Sequence, residues 1–127
     1  MGGKASREKG KRGEREWRDV LKEHGYEDAY RGVQYSGGPD SPDVVGIPGI
    51  HFEVKRVEKL NIYNAMKQSI DDAGEKEIPV VAHRRDREQW LVTMNAEDFL
   101  YYVLGYQAAC HEGCSLSPGV YKEWAGR

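Results

Sequence analysis

The chain holds 127 residues, 39% of them hydrophobic and 31% charged, with 19 basic side chains against 21 acidic ones. A mean hydropathy of −0.78 and the lack of any run near the roughly 20 apolar residues of a membrane span exclude an integral membrane protein. Two cysteines exclude a disulfide framework, and a core of this size needs no staple to fold. The first residues carry no apolar signal-peptide segment, so a soluble intracellular chain is expected. One domain is the default at this length. Residues 1–11 read as a flexible basic arm, 12–112 as a single domain and 113–127 as a C-terminal tail.

Charge is unevenly placed. Residues 1–18 carry seven basic groups and three acidic ones, a local charge of +4, whereas residues 61–80 carry −2. A basic end on an acidic body suits a protein that meets phosphate with one face. A solubilising, partly disordered tail would give the same pattern.

In chain order, Trp17, Val20, Leu21 and His24 form one stripe of an amphipathic helix from about Gly13, which Gly25 ends. Residues 28–35 read as a strand, and residues 36–42 (SGGPDSP) as a turn-rich loop. Residues 43–47 and 50–57 pair as a hairpin across Pro48-Gly49. Asn61 caps a second helix whose inner face takes Ile62, Ala65, Met66, Ser69, Ile70 and Ala73, and Gly74 stops it. Residues 78–83 and 89–94 are two further strands around a polar turn. Asn95 caps a third helix, with Glu97 and Asp98 favourably placed in its first turn. The order α-β-β-β-α-β-β-α predicts an α/β fold, a mixed central sheet flanked by helices.

The chemistry converges on the hairpin. Strand period puts Glu53 and Lys55 on one face and Phe52 and Val54 on the other. A tight hairpin brings Asp43 alongside Glu53, so that two carboxylates and an ammonium meet at one edge of the sheet. Hard dications such as Mg²⁺ take this kind of oxygen set with several waters, and a lysine beside it can stabilise charge on a phosphate. An edge strand with a solvated, ion-paired polar face would show the same spacing.

Pro42-Asp43 followed by Glu53-Val54-Lys55, on that order of elements, resembles the PD-(D/E)XK nuclease superfamily. The basic Lys9–Glu16 start, Arg31, Ser36-Gly37-Gly38, Pro42-Asp43-Val44-Val45 and Phe52-Glu53-Val54-Lys55 look most like the archaeal and phage-type Holliday junction resolvases, over residues 9–94. The resemblance implies a restriction-endonuclease-like core in a homodimer, each site nicking one of two opposed strands. It further implies that Glu14, Asp43 and Glu53, with the Val54 carbonyl, hold Mg²⁺, for which Mn²⁺ can substitute. Lys55 would take the superfamily lysine's place at the nucleophilic water. Ser36 falls where these resolvases carry a serine loop near the scissile phosphate, and Gln68 matches a helix glutamine of many members. Glu16 competes with Glu14 for the helix position; Glu14 is preferred because it follows Gly13, and Glu16 reads as a surface residue.

Lys9, Lys11, Arg12, Arg15, Arg31 and Arg56 are the candidate DNA contacts, joined by Arg84, Arg85 and Arg87 unless that turn is a self-paired hairpin tip. Trp17 and Trp90 read as core or interface anchors rather than base-stacking rings. His24, His51, His83 and His111 show no metal-ligand spacing, although His51 shares the parity of Glu53. Cys110, His111 and Cys114 give only three soft ligands, one short of a zinc site. The expectation is a Mg²⁺-dependent endonuclease that resolves branched DNA by paired nicks, with no membrane partner and no small-molecule cofactor. The alternatives are a related nuclease acting on flaps, nicks or duplex, and a DNA-binding module without turnover.

Overall fold

The computed structural model describes residues 3–32 and 43–111, so Ser36 and its loop, and Cys114, lie outside the described residues. The elements run α1 (Gly3–Glu23), β1 (Tyr30–Arg31), β2 (Val44–Val45), β3 (Ile50–Arg56), α2 (Ile62–Asp72), β4 (Ile78–Arg84), β5 (Leu91–Met94) and α3 (Ala96–His111). This is the expected succession, and the fold is α/β, with a five-stranded mixed sheet and three helices among the described residues.

The first correction concerns α1. It begins at Gly3 rather than near Gly13, so from residue 3 onward the expected flexible arm is the first half of a helix. Residues 4–12 hold no proline and no β-branched side chain, and Lys, Arg, Glu and Ala all favour helix. The helix ends as expected: Tyr26 N–H bonds the Leu21 carbonyl at 3.0 Å and Gly25 N–H the Lys22 carbonyl at 3.2 Å. That is a Schellman cap, and it needs the left-handed φ of +102° that Gly25 supplies.

The sheet follows chain order, β1-β2-β3-β4-β5. Pairing is antiparallel throughout except β3 with β4, which are parallel and joined by the α2 crossover. Strand β3 is therefore central, and its alternation serves two layers. Phe52 and Val54 join Trp17 and Leu21 of α1 with Val44, Val80 and Ala82 in one cluster. Trp17 sits at its centre, edge-on to Phe52 at 5.5 Å and tilted against Trp90 at 5.2 Å, as core anchors do. On the other face α2 packs Ala65 and Met66 against Val81. Asn61 caps α2, its side chain accepting from Asn64 N at 3.1 Å. Ser69 is fully buried, but Ile70, expected on the inner face, is 44% exposed.

Two compact units divide at Met94, one spanning Met1–Met94 and the other Asn95–Arg127. Helix α3 belongs to the second unit. There the Asn95 carbonyl accepts from Phe99 N at 3.0 Å, and Glu97 and Asp98 occupy the first turn. No helix among the described residues is long and apolar enough to cross a membrane.

Candidate metal centre

The hairpin that builds the centre turns at Ile47–Ile50, where Ile50 N–H reaches the Ile47 carbonyl at 3.1 Å and Gly49 takes a φ of +85°. Pro followed by a positive-φ glycine is the chemistry of a type II turn. Val44 then pairs with Phe52, and one further step of the antiparallel register sets Asp43 opposite Glu53. Asp43 N–H donates to the Phe52 carbonyl at 2.9 Å, and its Oδ2 accepts from Val54 N at 2.8 Å. The residue is thus held to the neighbouring strand through both its main chain and its side chain.

Electrostatics mark the pair. Burial, then the facing Glu53 carboxylate, push Asp43 up to about 7, against the smaller opposing pull of the Val54 N–H; Glu14 adds to the rise. Glu53 itself is 2% exposed. Of the two carboxylates brought together out of water, Glu53 has the buried His51 imidazole 3.2 Å away. Lys55 does not supply a positive partner directly, because its Nζ donates to Gln68 Oε1 at 2.9 Å.

Glu14, Asp43, Glu53, Val54, Lys55 and Gln68 all line one cleft of about 480 Å³. Glu14 enters it from α1, with Arg31 Nε 3.0 Å from its Oε1. A larger hollow of about 920 Å³, lined in part by Val57, Lys59, His83, Arg85 and Leu91, brings no buried carboxylates together. The smaller cleft is where the acidic chemistry lies. Its donors, three carboxylates and a peptide carbonyl, fit a hard dication such as Mg²⁺ or Mn²⁺.

Several basic candidates are committed elsewhere. Arg31 is half-buried in its ion pair with Glu14. Arg56 is buried at 8% exposure, donating to Asp86 Oδ1 at 2.6 Å and lying 3.4 Å from Glu16. Glu16, expected as a surface residue, is the half-buried clasp between Arg56 and Arg84, which donates to it at 2.8 Å. The turn at residues 84–88 is therefore only partly self-paired, through Arg85 and Glu88 at 3.9 Å. Lys9 lines the cleft and stands 3.8 Å from both Glu58 and Asp86. Lys11, Arg12 and Arg15 are exposed.

Two features have no counterpart in the sequence-based expectations, and a third, His51, is marked there only by the parity it shares with Glu53. With α1 extended to Gly3, Lys4, Arg7, Lys11, Arg15, Arg18 and Lys22 fall within roughly 80° of its circumference, at 100° per residue. Their 3.6-residue recurrence was the available signal. Gly13 is the point where α1 crosses β3, for a Cβ there would lie 2.5 Å from the Arg56 Cβ. His51 is fully buried, its Nε2 3.2 Å from Glu53 Oε1. Burial pulls its imidazole down, but the bond to Glu53 and the charges of Glu53, Glu77 and Asp72 outweigh that and leave it above its ordinary value. Compared with family models, curated proteins and solved structures, the chain matches none.

Proposed function

We propose that the chain is a dication-dependent endonuclease of the PD-(D/E)XK kind, with a restriction-endonuclease-like core, resolving branched DNA in the cytoplasm as a homodimer. The observation that carries this reading is that Asp43, set opposite Glu53 by the hairpin register, meets it in a cleft that also takes Glu14 and Lys55. Carboxylates paired out of water are poor neighbours for each other and good holders of a cation.

A bound Mg²⁺ or Mn²⁺ would neutralise the carboxylates and polarise a phosphodiester. Glu14, Asp43, Glu53 and the Val54 carbonyl would hold it. Lys55, kept in place by Gln68, presents an ammonium donor that orients the attacking water and offsets charge developing on the phosphate. Arg31 holds Glu14 toward the cleft. Along α1, the stripe of Lys4, Arg7, Lys11, Arg15 and Lys22 spans ~30 Å, long enough to follow several phosphates without reading bases. Two such sites related by a two-fold axis would give paired nicks.

The test is cleavage of an immobile four-way junction beside matched flap and duplex substrates, with Mg²⁺ or EDTA, for wild type, Asp43→Asn and Lys55→Met. Paired nicks confined to the junction, and lost with EDTA and in both variants, support the resolvase. Equal cutting of flap or duplex leaves a nuclease of broader choice. Tight junction binding without cutting in any dication refutes catalysis and leaves a binding module.

A further inference from the structure

Glu53 has a second polar neighbourhood besides Asp43. His51 precedes it by two residues on the same face of β3 and is 0% exposed. Its Nε2 lies 3.2 Å from Glu53 Oε1 and its Nδ1 3.7 Å from Glu77 Oε1. Asp72, in the last turn of α2, completes the group: one ligand atom from each of His51, Glu53 and Asp72 lies within 4.8 Å of the others. His51 Nδ1 has no hydrogen-bond partner despite its complete burial. A ring nitrogen left so is costly, and a bound cation is one way to satisfy it. A hollow of about 360 Å³ lined by Asp71, Asp72, Gly74 and Glu77 borders this group on the Asp72 side.

We propose that His51, Glu53 and Asp72, with Glu77 as a fourth donor, form a second divalent-cation site, suited to a first-row transition metal such as Zn²⁺ or Mn²⁺. The nitrogen ligand decides the class. Mg²⁺ and Ca²⁺ take oxygen sets, whereas Zn²⁺ is held by imidazole together with carboxylates. Ligands ~2.1 Å from a tetrahedral ion stand ~3.4 Å apart; one ring nitrogen of His51 serves a given ion, so the three ligand atoms, which lie within 4.8 Å of one another, draw together by up to ~1.4 Å on binding. Three carboxylates around one imidazole also leave negative charge that a dication offsets beside the buried His51 and Glu53. The ion would tie β3 to the C-terminal end of α2 and fix Glu53 where it meets Asp43. None of this depends on whether the neighbouring cleft cuts DNA.

The experiment is equilibrium dialysis of the full-length, chelator-stripped chain against Zn²⁺, Mn²⁺ and Mg²⁺, with Co²⁺ absorption as a report of nitrogen ligation. A Cys110→Ser, Cys114→Ser background removes the thiol ligands. One Zn²⁺ per chain is expected, bound at least tenfold more tightly than Mg²⁺. Asp72→Asn and His51→Gln should each weaken it at least tenfold, and Asp43→Asn by less than threefold. Asp72 is partly exposed on a helix, so its variant decides the question if His51→Gln does not fold. No Zn²⁺ bound by folded chain, the result expected of an imidazolium merely clasped between Glu53 and Glu77, overturns the proposal. So does an affinity unchanged in Asp72→Asn, or a loss of equal size in Asp43→Asn, which would put the ion in the cleft.

Discussion

Replacing Asp43 by Asn should make the metal-free protein more stable at neutral pH. The unfolded chain ionises this carboxyl near its ordinary 3.8, whereas the folded chain keeps the proton until about 7. Between those values the folded state binds more protons, so stability falls as pH rises. At ~1.4 kcal/mol per pH unit, the interval sets a ceiling of ~4 kcal/mol on the penalty above pH 7. Asn carries no charge to desolvate, and its amide oxygen can still accept from Val54 N. In urea unfolding with EDTA, wild type and variant should be about equal near pH 4 and separate steadily, the variant ahead by ~2–4 kcal/mol near pH 8. His51, raised above its ordinary 6.5, also favours the folded state at low pH and loses that contribution as pH rises. It is present in both proteins, so the difference between them isolates Asp43. Saturating Mg²⁺ should erase the gap by stabilising wild type alone. Parallel pH profiles in EDTA would refute the reasoning, for they would mean that Asp43 ionises in the folded state at no cost.

Two other perturbations follow from α1. Gly13→Ala should cost ~1–3 kcal/mol by overpacking against Arg56, while Gly10→Ala, with nothing within 4 Å of the added Cβ, should be neutral or gain up to ~1 kcal/mol; thermal melts of the pair decide it, and equal shifts would deny the close crossing. Reversing Lys11 and Arg15 to Glu should weaken junction binding several-fold. The slope of log affinity against log salt should also flatten by about one for each phosphate no longer neutralised. Fluorescence anisotropy across a salt series reads both, and an unchanged slope would remove the stripe from the DNA surface.

Much of the site was legible because it is local. Asp43, Glu53 and Lys55 lie on one hairpin, and a period of two with a Pro-Gly turn is enough to place them together. Asn61 and Gly25 likewise announced their caps through short-range chemistry. What was hidden is what distant elements bring. That Glu16 clasps Arg56 and Arg84 depends on where α1 crosses the sheet. The crossing in turn depends on Gly13, whose missing side chain has no signature along the chain. Arg31 read as a free cation because its partner, Glu14, is seventeen residues away. The start of α1 was misplaced for a different reason. The expected boundary followed the apolar stripe, and the first turns of this helix carry none; helix-forming charged residues extend it past the point where packing begins.

The alternation of β3 carries a consequence for how this chain tolerates change. His51, Glu53 and Lys55 share one face, while Phe52, Val54 and Arg56 share the other. A single residue inserted or deleted inside this strand would turn Glu53 toward the tryptophan layer and Phe52 toward the carboxylates beyond the break. An acidic group would then sit in oil and a phenyl ring among charges, so the core and the site would fail together. Changes of length are confined to the ends of the strand, where the Pro48-Gly49 turn and the link to α2 can absorb them. The segment that holds the chemistry is thereby the one least free to drift, because the same seven residues hold the fold.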